Sequence, residues 1–135
     1  MAWIASHGAT SVAEHLRFIE SGMSLVAEEN GVLVGFIVGR DYEKDLYIAE
    51  LAVARAHQRR GHGRDLMAAA IAHAGAAGKR AVTLTTFRTV PWNGPYYASL
   101  GFVEVAPVAG SYLFGAIADE EARGLPDRCA MKLAL

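Results

Sequence analysis

The chain has 135 residues, 53% of them hydrophobic, and a formal net charge of −1. That length fits a single domain over 1–135, with enough apolar residues for a core. The near-neutral balance gives no global reason to expect nucleic acid or an anionic membrane as partner, and the single cysteine, Cys129, excludes an intrachain disulfide and fits a reducing compartment.

In chain order, the opening MAWIASHGATSV lacks the charged start and apolar middle of a signal peptide. No apolar run is long enough to span a bilayer, so the cytoplasm is the expected location. Trp3 and Ile4 are expected to pack on the body. Ser11, three residues before Glu14, has capping-box spacing and predicts a short helix that turns Leu16, with Phe18 or Ile19, inward and ends near Gly22. Ser24 to Glu28 reads as a strand, and Glu29-Asn30-Gly31 as a tight hairpin turn. Val32 to Arg40, rich in β-branched and aromatic residues, is the next strand, with Gly35 and Gly39 marking a bulge or a bend. A polar turn over Asp41 to Asp45 leads to a third strand, Leu46 to Val53, completing an antiparallel meander.

The stretch AELAVARAHQRRGHGR, Ala49 to Arg64, carries the strongest functional signal. A strand ends in a basic loop punctuated by Gly61 and Gly63, and the loop opens into a helix over Arg64 to Ala77. Glycines let a backbone turn tightly and approach a ligand. A helix start supplies unpaired N–H donors and a positive dipole end. Arg59, Arg60, Arg64, His57 and His62 add mobile positive charge, and together these features suit a diphosphate. The spacing is neither a dinucleotide fingerprint, since Leu66 stands where a third small residue belongs, nor a P-loop, since no Gly-Lys-Ser/Thr follows. A solvated loop joining a strand to a helix is the alternative. The helix carries Leu66, Met67, Ala70, Ile71 and Ala74 as one apolar stripe, with Gly78 its expected stop.

Ala81 to Thr86 is a further strand; strand, helix, strand implies a right-handed crossover with a parallel pair, and helices covering a mixed sheet. Next, Asn93 is placed to cap a short helix with Pro95 in its first turn and Gly101 at its end. A strand is expected from Phe102 to Val105, and a last one over Cys129 to Leu135. Between Pro107 and Pro126 the pattern is ambiguous, with a helix possible over Ile117 to Arg123 after Ser111 to Gly115.

The order of these pieces carries a family likeness. Glu50-Leu51-Ala52-Val53 on a strand, then Gln58-x-x-Gly61-x-Gly63 and a helix, then a strand, then Asn93-x-x-Tyr96-Tyr97-x-x-Leu100-Gly101-Phe102 resembles the GCN5-related N-acetyltransferases (GNAT), over roughly Val26 to Val105. The wording Pro91-Trp92-Asn93-Gly94-Pro95-Tyr96-Tyr97 looks like that of a widespread bacterial group within that family. The resemblance implies an α/β (α+β) fold with a mixed, mostly antiparallel sheet flanked by helices and splayed between the fourth and fifth family strands. Acetyl-coenzyme A would lie in the splay as co-substrate, its diphosphate on the backbone of Arg59, Arg60, Gly61, His62, Gly63 and Arg64 with Gln58 beside it. Its pantetheine arm would pair with Leu51, Ala52 and Val53, and Asn93 would contact it. Members begin with one more strand and a longer first helix; here that part is missing or reduced to the first residues, and a second copy of the chain covering an exposed edge, a homodimer, is an expectation.

Acetyl transfer to an amine needs a base for the amine, a donor for the oxyanion and a proton for the thiolate. Glu50 is the only carboxylate between Leu46 and Val53 and is the candidate base, directly or through water; a structural ion pair is the alternative. Partial burial would raise its pKa. Strict alternation puts it on the face of Leu46 and Ile48, opposite Leu51 and Val53, unless a bulge intervenes. Tyr97 is the candidate acid. It is four residues from Asn93 and so on the same helix face, and matches the tyrosine that the resemblance makes the general acid. Tyr96 is assigned to core packing, and an aromatic wall is the alternative for Tyr97. The oxyanion donor would be a backbone N–H near Leu51. His57 and His62 make a poor metal pair without a third ligand, so no metal is expected. His73 is expected to be exposed, Cys129 a packed small hydrophobe, and Trp92 packed, with the floor of the acceptor pocket as its alternative place. Acidic residues Glu43, Asp45, Asp119 and Glu120 are expected on the solvated surface, with attraction of a cationic amine near the pocket as the alternative. The resulting expectation is an acetyl-coenzyme A-dependent N-acetyltransferase acting on a primary amine of a small molecule or peptide by direct attack. A non-catalytic coenzyme A-binding module is the alternative, and an acyltransferase using another chain or a hydroxyl acceptor a further one.

Overall fold

The computed structural model describes residues 22–135, which fall into two compact units, the first ending at Lys79 and the second running Arg80–Leu135. The expected helix after Ser11, and the packing of Trp3 and Ile4, lie outside the described residues.

The first unit is a three-stranded antiparallel meander, β1 (Gly22–Glu29), β2 (Val32–Tyr42) and β3 (Asp45–Val53), followed by a 3-10 turn (Arg55–His57) and helix α1 (His62–Ala76). The β1–β2 turn has the predicted chemistry: Asn30 and Gly31 take φ of 53° and 80°, the left-handed pair a two-residue hairpin favours. Opposite residues on β2 and β3 run regularly from Gly35 with Val53 to Val38 with Glu50, then jump to Gly39 with Ile48. Ala49 is therefore an extra residue on β3, a bulge. It corrects the alternation reading. Leu46, Ile48, Leu51 and Val53 all share one face, while Glu50 shares the other with Ala52, opposite Val38 and Phe36. The expected grouping of Glu50 with Leu46 and Ile48 fails because the bulge inverts the alternation between them.

Helix α1 covers the face of Leu51 and Val53. A Cβ on Gly35, the partner of Val53, would lie 3.4 Å from Leu66 Cδ1 and 2.9 Å from Ala52 O, so the bare backbone there is what permits close packing. Leu66, Met67, Ala70 and Ala74 are buried in the predicted stripe. The helix stops as expected: Gly78 takes φ 75°, and Lys79 N–H donates to Ala74 O at 2.9 Å, a Schellman ending.

In the second unit β4 (Ala81–Phe87) and the short β5 (Val103–Val105) flank β6 (Arg128–Ala134), both pairings antiparallel. Helix α2 (Gly94–Ser99) packs on β5 and β6, and helix α3 (Tyr112–Ala122) on β4 and β6. The ambiguous region is thus one helix. Ser111 caps it, its Oγ accepting from Phe114 N–H at 3.2 Å, the geometry that satisfies one orphan donor of a helix start. Under α3 a polar layer joins Thr83 to the Tyr112 hydroxyl at 2.9 Å, and Thr85 and Arg128 both donate to Glu120, at 2.8 and 3.0 Å.

Candidate functional site

In the first unit the loop after β3 is shaped by its own hydrogen bonds. Ala54 N–H donates to Val34 O at 2.7 Å, and His57 N–H to Ala54 O at 2.8 Å, closing the 3-10 turn. Gln58 Nε2 reaches back to Val53 O at 3.1 Å. Gln58 therefore ties the loop to the strand end it leaves. Arg59 then takes φ 66° and Gly61 φ 87°, so the chain turns through the left-handed region twice before α1 starts. The first helical bond is Asp65 N–H to Gly61 O at 2.9 Å. The N–H groups of His62, Gly63 and Arg64 consequently have no intrahelical acceptor, as at any helix start.

The two glycines are not equivalent. Gly61 supplies the positive φ; Gly63 lies inside the first turn of α1 with ordinary helical backbone. A Cβ at Gly63 would meet only Val53 Cγ2, at 3.9 Å. The helix also begins at His62, two residues before the predicted Arg64.

The expected mobile charge divides in two. Arg59 and Arg64 are exposed, and no ion pair joins either to another described residue. His57, Arg60 and His62 instead converge on Glu29, the last residue of β1. His57 Nδ1 lies 3.2 Å and His62 Nε2 2.7 Å from Glu29 Oε2, and Arg60 Nη1 donates to Glu29 Oε1. Hydrogen bonds from His62 first, then His57, with Arg60, hold the Glu29 carboxyl down at about 2. Those three cationic or potentially cationic side chains are tethered rather than mobile. Sequence reasoning missed Glu29, which stands in a hairpin turn 28 residues or more from its partners, and no local pattern marks such a contact.

Glu50 is half-buried on the opposite face of the meander from α1, beside Ala52 and across from buried Val38 and Phe36. It sits directly after the bulge, a feature that re-aims side chains near functional sites. Leu51 to Val53 follow it into the loop.

The second unit carries the other two candidates. Asn93 occupies the N-cap of α2, but its side chain makes no capping bond there; its backbone does the work, Tyr97 N–H donating to Asn93 O at 2.9 Å. Pro95 stands in the first turn and Gly101 ends the helix with φ 102°, both as predicted. Tyr97 packs edge-on against Phe102, ring centroids 5.9 Å apart, and against Tyr96 at 5.4 Å. Phe102 is buried, so Tyr97 also packs on the core, and both Tyr96 and Tyr97 are half-buried. Burial, with Tyr96 adding to it, pushes the Tyr97 phenol up, which keeps its proton on through the neutral range.

Other expectations fare unevenly. His73 is exposed, and Cys129 is buried with its thiol pushed up by that burial. Trp92 is 75% exposed rather than packed. Asp119 is exposed and Glu43 lies in an exposed turn, but Asp45 is buried, and Glu120 is largely buried against Arg128. An open groove of about 420 Å³ beside α2, lined by Arg88, Phe102, Glu104 and Cys129 among others, includes none of the predicted site residues. Among the described residues no group of three or more His, Cys, Asp or Glu is arranged to hold a metal ion, and no helix is long and apolar enough to cross a membrane.

The fold has counterparts among known proteins. Rv2747 of Mycobacterium tuberculosis, solved in complex with CoA, is similar with a TM-score of 0.72 at 20% identity, over 93% of this chain and 82% of that one. The putative streptothricin acetyltransferase of Bacillus anthracis, solved with acetyl coenzyme A, gives 0.70 at 20% identity, over 90% and 68%. The ribosomal-protein-S18-alanine N-acetyltransferase of Escherichia coli gives 0.65 at 20%, over 83% and 68%. At such identities the likeness speaks for the fold: mixed α and β, six strands mostly antiparallel, with flanking helices. The family model described as Acetyltransferase (GNAT) family matches residues 2–102, most of the chain and parts of both units. The chain accordingly belongs to the GNAT family of acetyltransferases, and is an acyltransferase by that membership.

Proposed function

We propose that this acetyltransferase takes its acetyl group from acetyl-coenzyme A and passes it to a primary amine by direct attack within a ternary complex, with 1–135 acting as one GNAT domain. The observation that carries the reading is the start of α1: N–H groups at His62, Gly63 and Arg64 without intrahelical acceptors, preceded by a left-handed turn at Gly61. Free N–H groups, the helix dipole and the exposed Arg59 and Arg64 match the charge and oxygen-rich surface of a diphosphate. Coenzyme A-bound and acetyl coenzyme A-bound relatives of the same fold support this choice of anion. The family match running across the boundary between the two units supports a single domain.

The chemistry follows from the side chains. The amine nitrogen forms a bond to the thioester carbonyl carbon, and the carbon–sulfur bond breaks. The nitrogen gives up a proton, which Glu50 accepts directly or through water, and the departing thiolate takes one from Tyr97. The Tyr97 phenol carries its proton when the thiolate forms, and because burial pushes its pKa up, the transfer depends on close geometry to the sulfur. A backbone N–H near Leu51 serves the oxyanion, and Leu51 to Val53 and Asn93 contact the donor. Cys129 is buried and its thiol raised, which disfavours an acyl-cysteine intermediate and favours direct attack. The same lone, buried thiol fits a reducing, cytoplasmic setting.

Thiol release from acetyl-coenzyme A against a panel of amines (amino acids, polyamines, aminoglycosides and peptide N-termini) tests the reading. Turnover with at least one class is expected. Binding of coenzyme A without thiol release across the whole panel would overturn amine transfer, and no binding of coenzyme A at all would overturn the cradle.

A further inference from the structure

Glu29 lies outside the strand, loop and helix that form the cradle, yet it touches that loop at three points. Its Oε2 is 3.2 Å from His57 Nδ1 in the 3-10 turn and 2.7 Å from His62 Nε2 at the first residue of α1, while its Oε1 accepts from Arg60 between them. One carboxylate thus fastens the beginning, middle and end of the segment whose backbone turns through Arg59 and Gly61.

Two physical points give this contact meaning. Arg59 holds φ 66°, a conformation that residues with a Cβ adopt reluctantly and that persists when the surroundings over-determine it. A carboxylate close to an anion-binding loop is also electrostatically unfavourable for the ligand, so its presence calls for a compensating role. The three contacts supply one: they use side chains only, and none consumes a backbone N–H of the loop.

We propose that Glu29 is a positioning residue for the donor's diphosphate, clasping His57, Arg60 and His62 so that the backbone from Arg59 to Arg64 is held open for the ligand. The inference rests on the reading of this loop as the diphosphate cradle. It predicts that losing the clasp weakens recognition of the diphosphate specifically, because the ligand must then order the loop itself.

The test compares wild type, Glu29→Gln and Glu28→Gln, the last removing the same charge from the exposed neighbouring residue. Calorimetry with coenzyme A should show Glu29→Gln binding on the order of 10-fold more weakly than wild type, and Glu28→Gln binding as wild type does. The ratio of kcat/KM for acetyl-coenzyme A to that for acetyl-pantetheine, a donor without the diphosphate, should fall by a similar factor in Glu29→Gln. If Glu29→Gln does not fold, Glu29→Asp keeps the charge on a shorter arm and should show a smaller loss of the same sign. Equal losses with both donors would make Glu29 a general structural residue and overturn the proposal. Unchanged or tighter binding of coenzyme A by the Glu29 variants would overturn it too, tighter binding by showing that the carboxylate competes for the cradle. A wild-type protein that binds no coenzyme A removes the cradle reading itself, which separates that failure from failure of the clasp.

Discussion

Two of the loops that carry a strand into a helix, the one after β3 in the first unit and the one after β4 in the second, are each fastened by a carboxylate from elsewhere in the chain. After β3, Glu29 takes the side chains of His57, Arg60 and His62. After β4, Asp127 takes the Thr89 N–H at 3.1 Å and the Thr89 hydroxyl at 2.5 Å, with Arg88 Nη1 at 3.5 Å, and its backbone oxygen takes Arg88 N–H at 2.7 Å. Bonds from Thr89 first of all hold the Asp127 carboxyl below its ordinary range. The difference is in what each pin leaves over. The second loop spends backbone donors on its own fastening, and α2 then puts Pro95 in its first turn, where another N–H is missing. In the first loop the carboxylate is met by side chains only, so it uses none of the N–H groups of His62, Gly63 and Arg64, which have no intrahelical acceptor. A loop's capacity to bind an anion therefore depends on how it is anchored as well as on glycine content.

The largest expected effect sharpens the division of labour. Tyr97→Phe keeps the ring on Phe102 but deletes the proposed proton donor, so kcat should fall on the order of 100-fold with the KM for acetyl-coenzyme A nearly unchanged. Steady-state kinetics measures both, and a melting curve close to wild type shows the packing is intact. A loss confined to KM would return Tyr97 to the role of an aromatic wall.

Gly94→Ala should strike the second loop through the fold. A Cβ there would lie 2.4 Å from Arg88 O, a backbone atom that cannot swing aside, and such overpacking costs about 2 kcal/mol or more. Chemical denaturation measures it; a stability equal to wild type would show the loop free to shift. Gly61→Ala meets no atom within 4 Å but must hold φ 87°, costing roughly 1 kcal/mol through backbone strain alone.

Gly63→Ala separates binding from folding most cleanly. Its backbone is helical and its surroundings open, so stability should stay level or rise by up to ~1 kcal/mol, while affinity for coenzyme A falls because a methyl group intrudes where the ligand approaches. Calorimetry alongside denaturation checks it, and unchanged affinity would place the diphosphate elsewhere along the loop.

The smallest effect is a pH dependence. Glu29 is depressed from 4.5 to about 2 on folding. The stability it contributes is therefore fully present above about 4.5 and is lost as pH falls through about 2. The gap in denaturation midpoint between wild type and Glu29→Gln should narrow progressively as pH falls below about 4.5. A gap that is the same at about pH 3 as at about pH 6 would mean the ionised clasp does not hold the loop.

Much of the fold was legible because its determinants are local. Asn30-Gly31 names its own turn, the Leu66 to Ala74 spacing names a buried helix face, and Gly78 and Gly101 stop helices at the positions they mark. The glycine-basic loop and the Asn93 to Phe102 stretch were visible as motifs. What remained hidden depended on neighbours far along the chain. The extra residue at Ala49 appears only when β3 is laid against β2, and it alone decides which face Glu50 occupies. Glu120 and Asp45 read as ordinary surface carboxylates, and Glu29 only as part of a hairpin turn, until folding brought partners or cover to them. Trp92, expected to pack, stands out in solvent.

The amino-acid order by itself determined the antiparallel meander, the helix that follows the basic loop and the family to which the chain belongs, since turn chemistry, periodicity and short motifs act over a few residues. Tertiary structure alone decided the face of Glu50 and the capture of three loop side chains by Glu29. Each of those depends on strand register or on contacts across tens of residues, and neither is written in any local run of the sequence.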